Sequence, residues 1–439
     1  MRVADYTGCP QVSFKHETLQ VHGLCPHCAA QDKVGKLYPT EPGVFVCLQG
    51  QPLIGGTRYE VEKLRCNTCQ QIYSASLPEA LVDQPKYDAG CKSNIALSRY
   101  YMGLPFKRVE LWQQIQGVPL KDATQWDLVK QLWSVVQPVC LELASQSAEG
   151  QSHYFDDTTG RILYPAPLHA TGLPARKGIY STAMISEYEG HRIYLFRTSQ
   201  CYGAENMQTV LEQRQSEAVF SVMSDASPLN VLSVDEALQA RMIICFCLVH
   251  GRRNFFELLG HRDPECEFVI ECISRVYEYE QVCKTQGFSP GQRLAYHQSH
   301  SLPLMNALRD WLNNQLLFKR VEPNSDLGKA LSYMLRHWNR LTQFLYHAGV
   351  PIDNSLCEQA IKVVIRHRRN SLFYRTSRGA KVGDDLMGLI HTAVHAEVNV
   401  FDYLNALQTY ACHVSESPEQ WLPWTYLSTL DSLGLVKAA

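Results

Sequence analysis

Between residues 151 and 250 apolar residues come in short runs bounded by turn signals, and between 254 and 350 they recur only with a helical period. A chain that passes from strands into so long a helical tract reads as an α/β domain interrupted by a helical stretch. The strand region begins at Tyr154-Phe155-Asp156, and Gly160 marks a turn before Arg161-Ile162-Leu163-Tyr164. Residues 179–188 and 192–197 read as two strands of a hairpin around Glu189-Gly190-His191. A helix over 205–213 leads to a strand at 218–223, with Asp225 just past its end. A further apolar run ends at His250, and a helix starts near Ser355 after the helical tract.

Ahead of this region, residues 104–116 and a stretch from Asp122 have helical patterns, joined by Gly117-Val118-Pro119-Leu120. Helix, glycine turn, helix is the outline of a DNA-reading motif, though many helical proteins share it. The first 85 residues are rich in Cys, Gly and Pro. Cys25-Pro26-His27-Cys28 and Cys66-Asn67-Thr68-Cys69 form two C-x-x-C knuckles. Two residues between cysteines let both thiolates reach one tetrahedral ion, so Cys25, Cys28, Cys66 and Cys69 are expected to hold a structural Zn²⁺.

Composition supplies limits. The net charge of -2 gives no global sign of a nucleic-acid partner, so any such surface has to come from local basic patches. The most apolar stretch, residues 242–249, is too short to cross a bilayer. The 16 cysteines are scattered along a long chain, as thiols or metal ligands rather than disulfides. A soluble, cytoplasmic protein without a membrane partner is expected.

Three acidic residues sit where a metal site could be assembled. Asp156 lies on the first strand, Asp225 at the end of a later strand and Glu358 on a helix. Hard carboxylates converging from separate elements suit Mg²⁺ (or Mn²⁺) and phosphodiester chemistry. Strand, strand, helix is the order in which a ribonuclease-H-like fold arranges such ligands. Each residue also has a plainer reading. Asp156 or Asp157 could begin a turn with Thr158-Thr159-Gly160, and either could be the first ligand. Asp225 could cap the loop before Pro228, and Glu358 could close a capping box with Ser355. On the same helix Leu356, Ala360, Ile361, Val364 and Ile365 form an apolar face, and Glu358, Lys362, Arg366 and Arg369 another. His367, Arg368, Arg375, Arg378 and Lys381 extend the basic patch. Cys247 and His250, followed by Arg252-Arg253, form a smaller cluster assigned a structural role near the carboxylates.

These residues resemble the insertion-sequence-66 transposase family over nearly the whole chain. The family's D-E-T is similar to Asp156-Asp157-Thr158, its second aspartate matches Asp225, and its C-W-A-H-x-R-R resembles the run from Cys247 to Arg253. Its D-N-N-x-x-E-R is similar to Asp353-Asn354-Ser355-Leu356-Cys357-Glu358-Gln359, its R-K-N-x-L-F to the run from Arg368 to Phe373, and its L-L-P-W to Trp421-Leu422-Pro423-Trp424. Here Asp157 stands for Glu, Leu248 for Trp, Ser355 for Asn and Gln359 for Arg. Family members usually carry a coiled-coil segment before the knuckles, so a shortened start is expected.

The resemblance implies an α/β protein: a zinc-binding module (1–85), a helix-turn-helix-like DNA-binding segment (93–145), a ribonuclease-H-like catalytic domain (151–400) with a helical insertion at 254–350, and a C-terminal tail (401–439). It implies DDE transposition. Asp156, Asp225 and Glu358 would be the metal ligands, and Arg252, Arg253, Lys362, Arg366, Arg368 and Arg369 the DNA contacts. Partners would be the element's terminal inverted repeats, target DNA, further copies of the chain and accessory proteins of the element. The rival readings are an inactive transposase-derived DNA-binding protein and a nuclease that cuts without joining.

Overall fold

A computed structural model describes residues 19, 21–38, 53–65, 72–74, 76, 81, 85–165, 176–261 and 264–435. They fall into two compact units, one within Met1–Gly55 and one within Gly56–Ala439.

In the first unit a single helical turn, Pro26–Ala29, follows Cys25 and is wrapped by an antiparallel bridge between Leu24 and Lys36. The Cys25 N–H donates to the Gly35 carbonyl (2.8 Å), while the Gln31 and Lys33 N–H groups both donate to the Cys28 carbonyl. A side chain at Gly35 would begin 2.7 Å from Cys28 Sγ, so glycine leaves the sulfur its room. Cys66 and Cys69 lie outside the described residues.

The second unit is built on a five-stranded mixed sheet. Its strands are β1 (Ser152–Thr159), β2 (Tyr180–Tyr188), β3 (His191–Ser199), β4 (Phe220–Ser224) and β5 (Met242–Phe246). Their spatial order is β3-β2-β1-β4-β5, with β1, β2 and β3 antiparallel and β4 and β5 running parallel to β1. The β2–β3 hairpin closes through Glu189 (φ 48°) and Gly190 (φ 84°), the paired positive angles of a two-residue turn that matches strand twist.

Helices α1 (Ala89–Ala96), α2 (Phe106–Ile115) and α3 (Asp122–Ala148) precede the sheet, with α2 and α3 starting where the glycine turn places them. Leu128, Val129, Leu132, Val136, Val139 and Leu143 of α3 are all buried, so one face of this helix belongs to the core. Helix α4 (Gly203–Leu211) packs Met207, Val210 and Leu211 against Phe155, Met184, Phe220 and Val222 on one sheet face. After β5 come α5 (Leu248–Phe256) and the long helices α6 (Pro264–Thr285), α7 (Pro290–Leu317) and α8 (Asp326–Leu341). The chain then returns through α9 (Ser355–Ser371) and α10 (Ser377–His395). Helix α10 lies close along β3. A side chain at Gly388 would begin 2.7 Å from the Tyr194 carbonyl, and Asp384 accepts hydrogen bonds from the Thr198 N–H and hydroxyl.

Beyond residue 400 the sequence reading leaves a tail. Residues 400–432 instead form α11 (Val400–Thr409) and two shorter helices, and the Tyr403 hydroxyl donates to the Trp421 carbonyl with both side chains buried. The apolar spacing of Tyr403, Leu404 and Leu407 carries this helix into the core. Among the described residues no helix is long and apolar enough to cross a membrane.

Candidate active site

Strand alternation sorts the two adjacent aspartates. Side chains on a strand point to opposite faces in turn, so Asp157 shares a face with Phe155, and Asp156 takes the other. Asp157 Oδ2 accepts the Gly203 N–H (2.9 Å) at the start of α4, which occupies it structurally. Asp156 pairs in register with Ala183, whose carbonyl accepts a bond from the Cys357 thiol of α9. Asp156 thus lies on the face that α9 covers. Neither aspartate begins a turn, because β1 continues through Thr159.

The three carboxylates come together. Burial pushes the Asp156 carboxyl up from 3.8 to about 7 against the lowering bond from the Asp157 N–H, and the charges of Asp225, Asp157 and Glu358 push the same way as burial. Asp225 stands one residue beyond β4. Its Oδ1 accepts the Ser227 N–H (3.1 Å) and the Asn230 side-chain amide, so it does brace the loop before Pro228.

Glu358 departs from its plainer reading. The N-cap of α9 is Asn354, Ser355 is already helical, and no capping box forms. Glu358 Oε1 is buried without a hydrogen-bond partner, 3.8 Å from His250 Nδ1, which is also buried and unpartnered. Orphaned polar atoms of this kind are costly unless something else satisfies them. A hard cation held by Asp156, Asp225 and Glu358 would satisfy the Glu358 oxygen, and the donor set fits one. Cys247, His250 and Glu358 also bring their ligand atoms within 4.8 Å of one another. Burial holds the Cys247 thiol up to about 12, so it remains protonated, and its sulfur accepts the Asn354 N–H (3.3 Å).

Asn354 is the residue that the sequence reading missed as a site element. It is 1% exposed, and its Nδ2 donates to the carbonyl of Phe155, the residue before Asp156 (3.0 Å). Through its N–H and side chain it ties β1, the start of α5 and the start of α9 together. The Asp353-Asn354 pair is visible in the sequence within the family-like run that leads to Glu358, but without a role of its own.

The basic residues divide into two kinds. Arg253, Lys362 and Arg369 are exposed, and Arg252 is half-buried with an unpartnered Nε. Arg366 donates to the Tyr101 carbonyl (3.0 Å), and Arg368 bonds the Thr159 carbonyl and the Thr158 and Thr159 hydroxyls at the end of β1. His367 leaves the cationic patch altogether, because burial lowers it to about 3 and it stacks between Tyr100 and Tyr374 as a neutral ring. Lys381 pairs with Asp385 (3.0 Å). The inward face of α9 is Cys357, Ala360, Ile361, Val364 and His367, with Leu356 and Ile365 only half-buried.

In the first unit the Cys25 and Cys28 thiols are hydrogen-bonded neighbours, and that contact raises Cys28 above its ordinary value. The pair fits half of a tetrahedral thiolate site.

A family model described as "Transposase IS66 family" matches residues 86–382, a span that includes all three carboxylates. The chain belongs to that family. Two similar proteins of Sinorhizobium fredii (strain NBRC 101917 / NGR234) bear no functional description. The uncharacterized protein y4hP is 23% identical over 400 residues, 83% of this chain and 67% of its own length. The uncharacterized protein y4jD is 28% identical over 188 residues, 42% of this chain and 36% of its own length. The chain therefore spans about two thirds or less of these relatives. Among solved structures, a Mos1 transposase paired-end complex with left transposon end is 10% identical and covers 61% of this chain and 81% of that chain. Its TM-score of 0.14 carries no argument.

Proposed function

We propose that this IS66-family chain is a DDE transposase whose ribonuclease-H-like domain cuts element-end DNA and joins the freed 3′-hydroxyl to target DNA. One observation carries the reading: Asp156, Asp225 and Glu358 arrive from β1, the end of β4 and α9 at one half-buried place where their charges repel. The sheet order β3-β2-β1-β4-β5, three antiparallel strands and then two parallel, supports a ribonuclease-H-like arrangement.

Two Mg²⁺ (or Mn²⁺) ions held by the three carboxylates would neutralise charge at phosphorus and activate the attacking oxygen. Asp225 is braced by Ser227 and Asn230, so its second oxygen can serve a ligand without the loop moving. Asn354 fixes the spacing between β1 and α9, and with it the separation of Asp156 from Glu358. Arg253, Lys362 and Arg369 offer exposed cations for phosphates. In the first reaction water displaces the 3′-oxygen of the element end; in the second that hydroxyl displaces a 3′-oxygen of the target. The proposal includes Zn²⁺ at Cys25, Cys28, Cys66 and Cys69, and further copies of the chain on the terminal repeats.

The test uses DNA bearing the element's ends. Nicking and joining in Mg²⁺ or Mn²⁺, abolished by Asp225→Ala and by Glu358→Ala, is the expected result. Binding without cleavage would give the protein to the class of inactive transposase-derived DNA binders. Cleavage without joining would make it a nuclease.

A further inference from the structure

A cavity of about 990 Å³ opens on the second unit, lined by Arg99, Phe106, Trp126, Tyr164, Phe373 and Arg375 among others. It stands at the upper end of the usual range for ligand clefts, about 300–1,000 Å³. Six aromatic side chains, those of Tyr100, Phe106, Trp126, Tyr164, Phe373 and Tyr374, line the one opening. Tyr164 is 65% exposed and Phe373 40% exposed, while Phe106 and Trp126 are half-buried.

The charge inside is unbalanced. Arg99 is 8% exposed, yet no carboxylate of the described residues forms an ion pair with it. Its guanidinium lies over Phe106 (5.1 Å) and Tyr100 (5.9 Å), one nitrogen bonds the Ser371 hydroxyl, and Nε has no partner. Its other partners are the hydroxyls of Ser371 and Tyr100, so among the described residues this buried cation has neutral partners and no counter-ion. Arg375 adds a second, exposed cation. Asp122 is the acidic residue of the lining, and its Oδ1 is turned to the Ala123 N–H (2.7 Å).

The backbone also singles out this place. Leu372, just past α9, has φ 67°, a left-handed angle that a leucine adopts only under constraint. That bend turns the chain out of the helix and leaves Phe373 at the cleft. The adjoining ribbon, Ile162–Tyr164 paired in parallel with Tyr374–Thr376, presents Tyr164 beside it.

We propose that this cleft binds unpaired nucleotides of single-stranded DNA, with bases stacked on Tyr164, Phe373 and Trp126 and phosphates on Arg99 and Arg375. Aromatic faces with arginines between them are the chemistry that takes single strands without reading sequence. Position favours it too. Glu358 is in the first turn of α9 and the cleft borders its last, thirteen residues or roughly 20 Å away. A strand lying at the carboxylates would reach the cleft after about six nucleotides at 3.4 Å each.

The experiment is fluorescence anisotropy of the full chain with a labelled oligothymidylate, alone and annealed to its complement, without added Mg²⁺. The parent should bind the single strand. Tyr164→Ala and Phe373→Ala should each weaken it by about tenfold, while Tyr164→Phe and Phe373→Tyr stay within about twofold and duplex binding is unchanged. Arg375→Ala should weaken single-strand binding and lower its salt dependence. The assay contains no Mg²⁺, so its outcome is separate from that of the cutting reaction. No single-strand binding by the parent, alanine variants that bind as well as it, or equal losses on duplex would overturn the proposal. So would an altered oligomeric state in the alanine variants with single-strand affinity intact, which would assign the cleft to a protein partner.

Discussion

Replacing Asp156 with asparagine should make the metal-free protein more stable while abolishing its chemistry. The carboxyl ionises near 3.8 when the chain is unfolded and keeps its proton to about 7 in the folded state. Between those limits the folded state binds more protons, so stability falls as pH rises from about 4 to about 7 and is level above. Three units correspond to ~4 kcal/mol at about 1.4 kcal/mol each. The carboxyl keeps some access to water, and screening reduces this to ~2 kcal/mol. In a domain of this size that is about 2–6 °C in Tm. Asp156→Asn cannot ionise and escapes the loss. Differential scanning fluorimetry of the two proteins across pH 5 to 8 should show the variant ahead, with a gap that widens up to about pH 7 and is level from there to pH 8. Added Mg²⁺ should raise the Tm of the parent at pH 8 and leave the variant nearly unmoved. A variant no more stable than the parent at pH 8, or a gap that does not change with pH, would refute the electrostatic account of the site.

Two further predictions test the supports of the site. Asn354→Ala removes the bond to the Phe155 carbonyl and leaves a buried acceptor unpaired, which costs ~1–3 kcal/mol. It should lower turnover and raise the Mg²⁺ concentration needed for half-maximal cleavage, and an unchanged metal requirement would count against its positioning role. Arg368→Ala and Arg369→Ala should separate structure from contact. The first loses the bonds to Thr158 and Thr159 and should lower Tm, whereas the second should leave Tm alone and reduce the salt slope of DNA binding by about one. Thermal melts and salt titrations read the two effects, and the reverse pattern would contradict the geometry.

The sheet was legible because its strands bring their own punctuation. Glu189-Gly190 fixes the hairpin, and the run before Asp225 is short and apolar enough to be a buried strand. The site was less so. Alternation along β1 separates Asp156 from Asp157, but only when the helix on each face is known, and α4 and α9 are 150 residues apart. The run from Ser355 to Glu358 has the composition of a capping box and does not form one, because the N-cap falls one residue earlier, on Asn354. His367 reads as a cation among arginines, yet it faces inward. Local pattern gives a residue's neighbours along the chain, while protonation and pairing depend on what packs against it from elsewhere.

The long helices α6, α7 and α8 between β5 and α9 also bear on how the protein is made. Glu358 follows Asp156 by 202 residues. At about 5–20 residues per second of synthesis, the helix carrying it emerges roughly 10–40 s later. Until then the face of β1 and β2 that α9 covers, including Ala183 and Ile185, is bare on the nascent chain. On the proposed reading, a ribosome-bound product at this stage holds two of the three carboxylates and would be unable to cut the DNA that encodes it. The three-carboxylate cluster is complete only once the closing helix has packed.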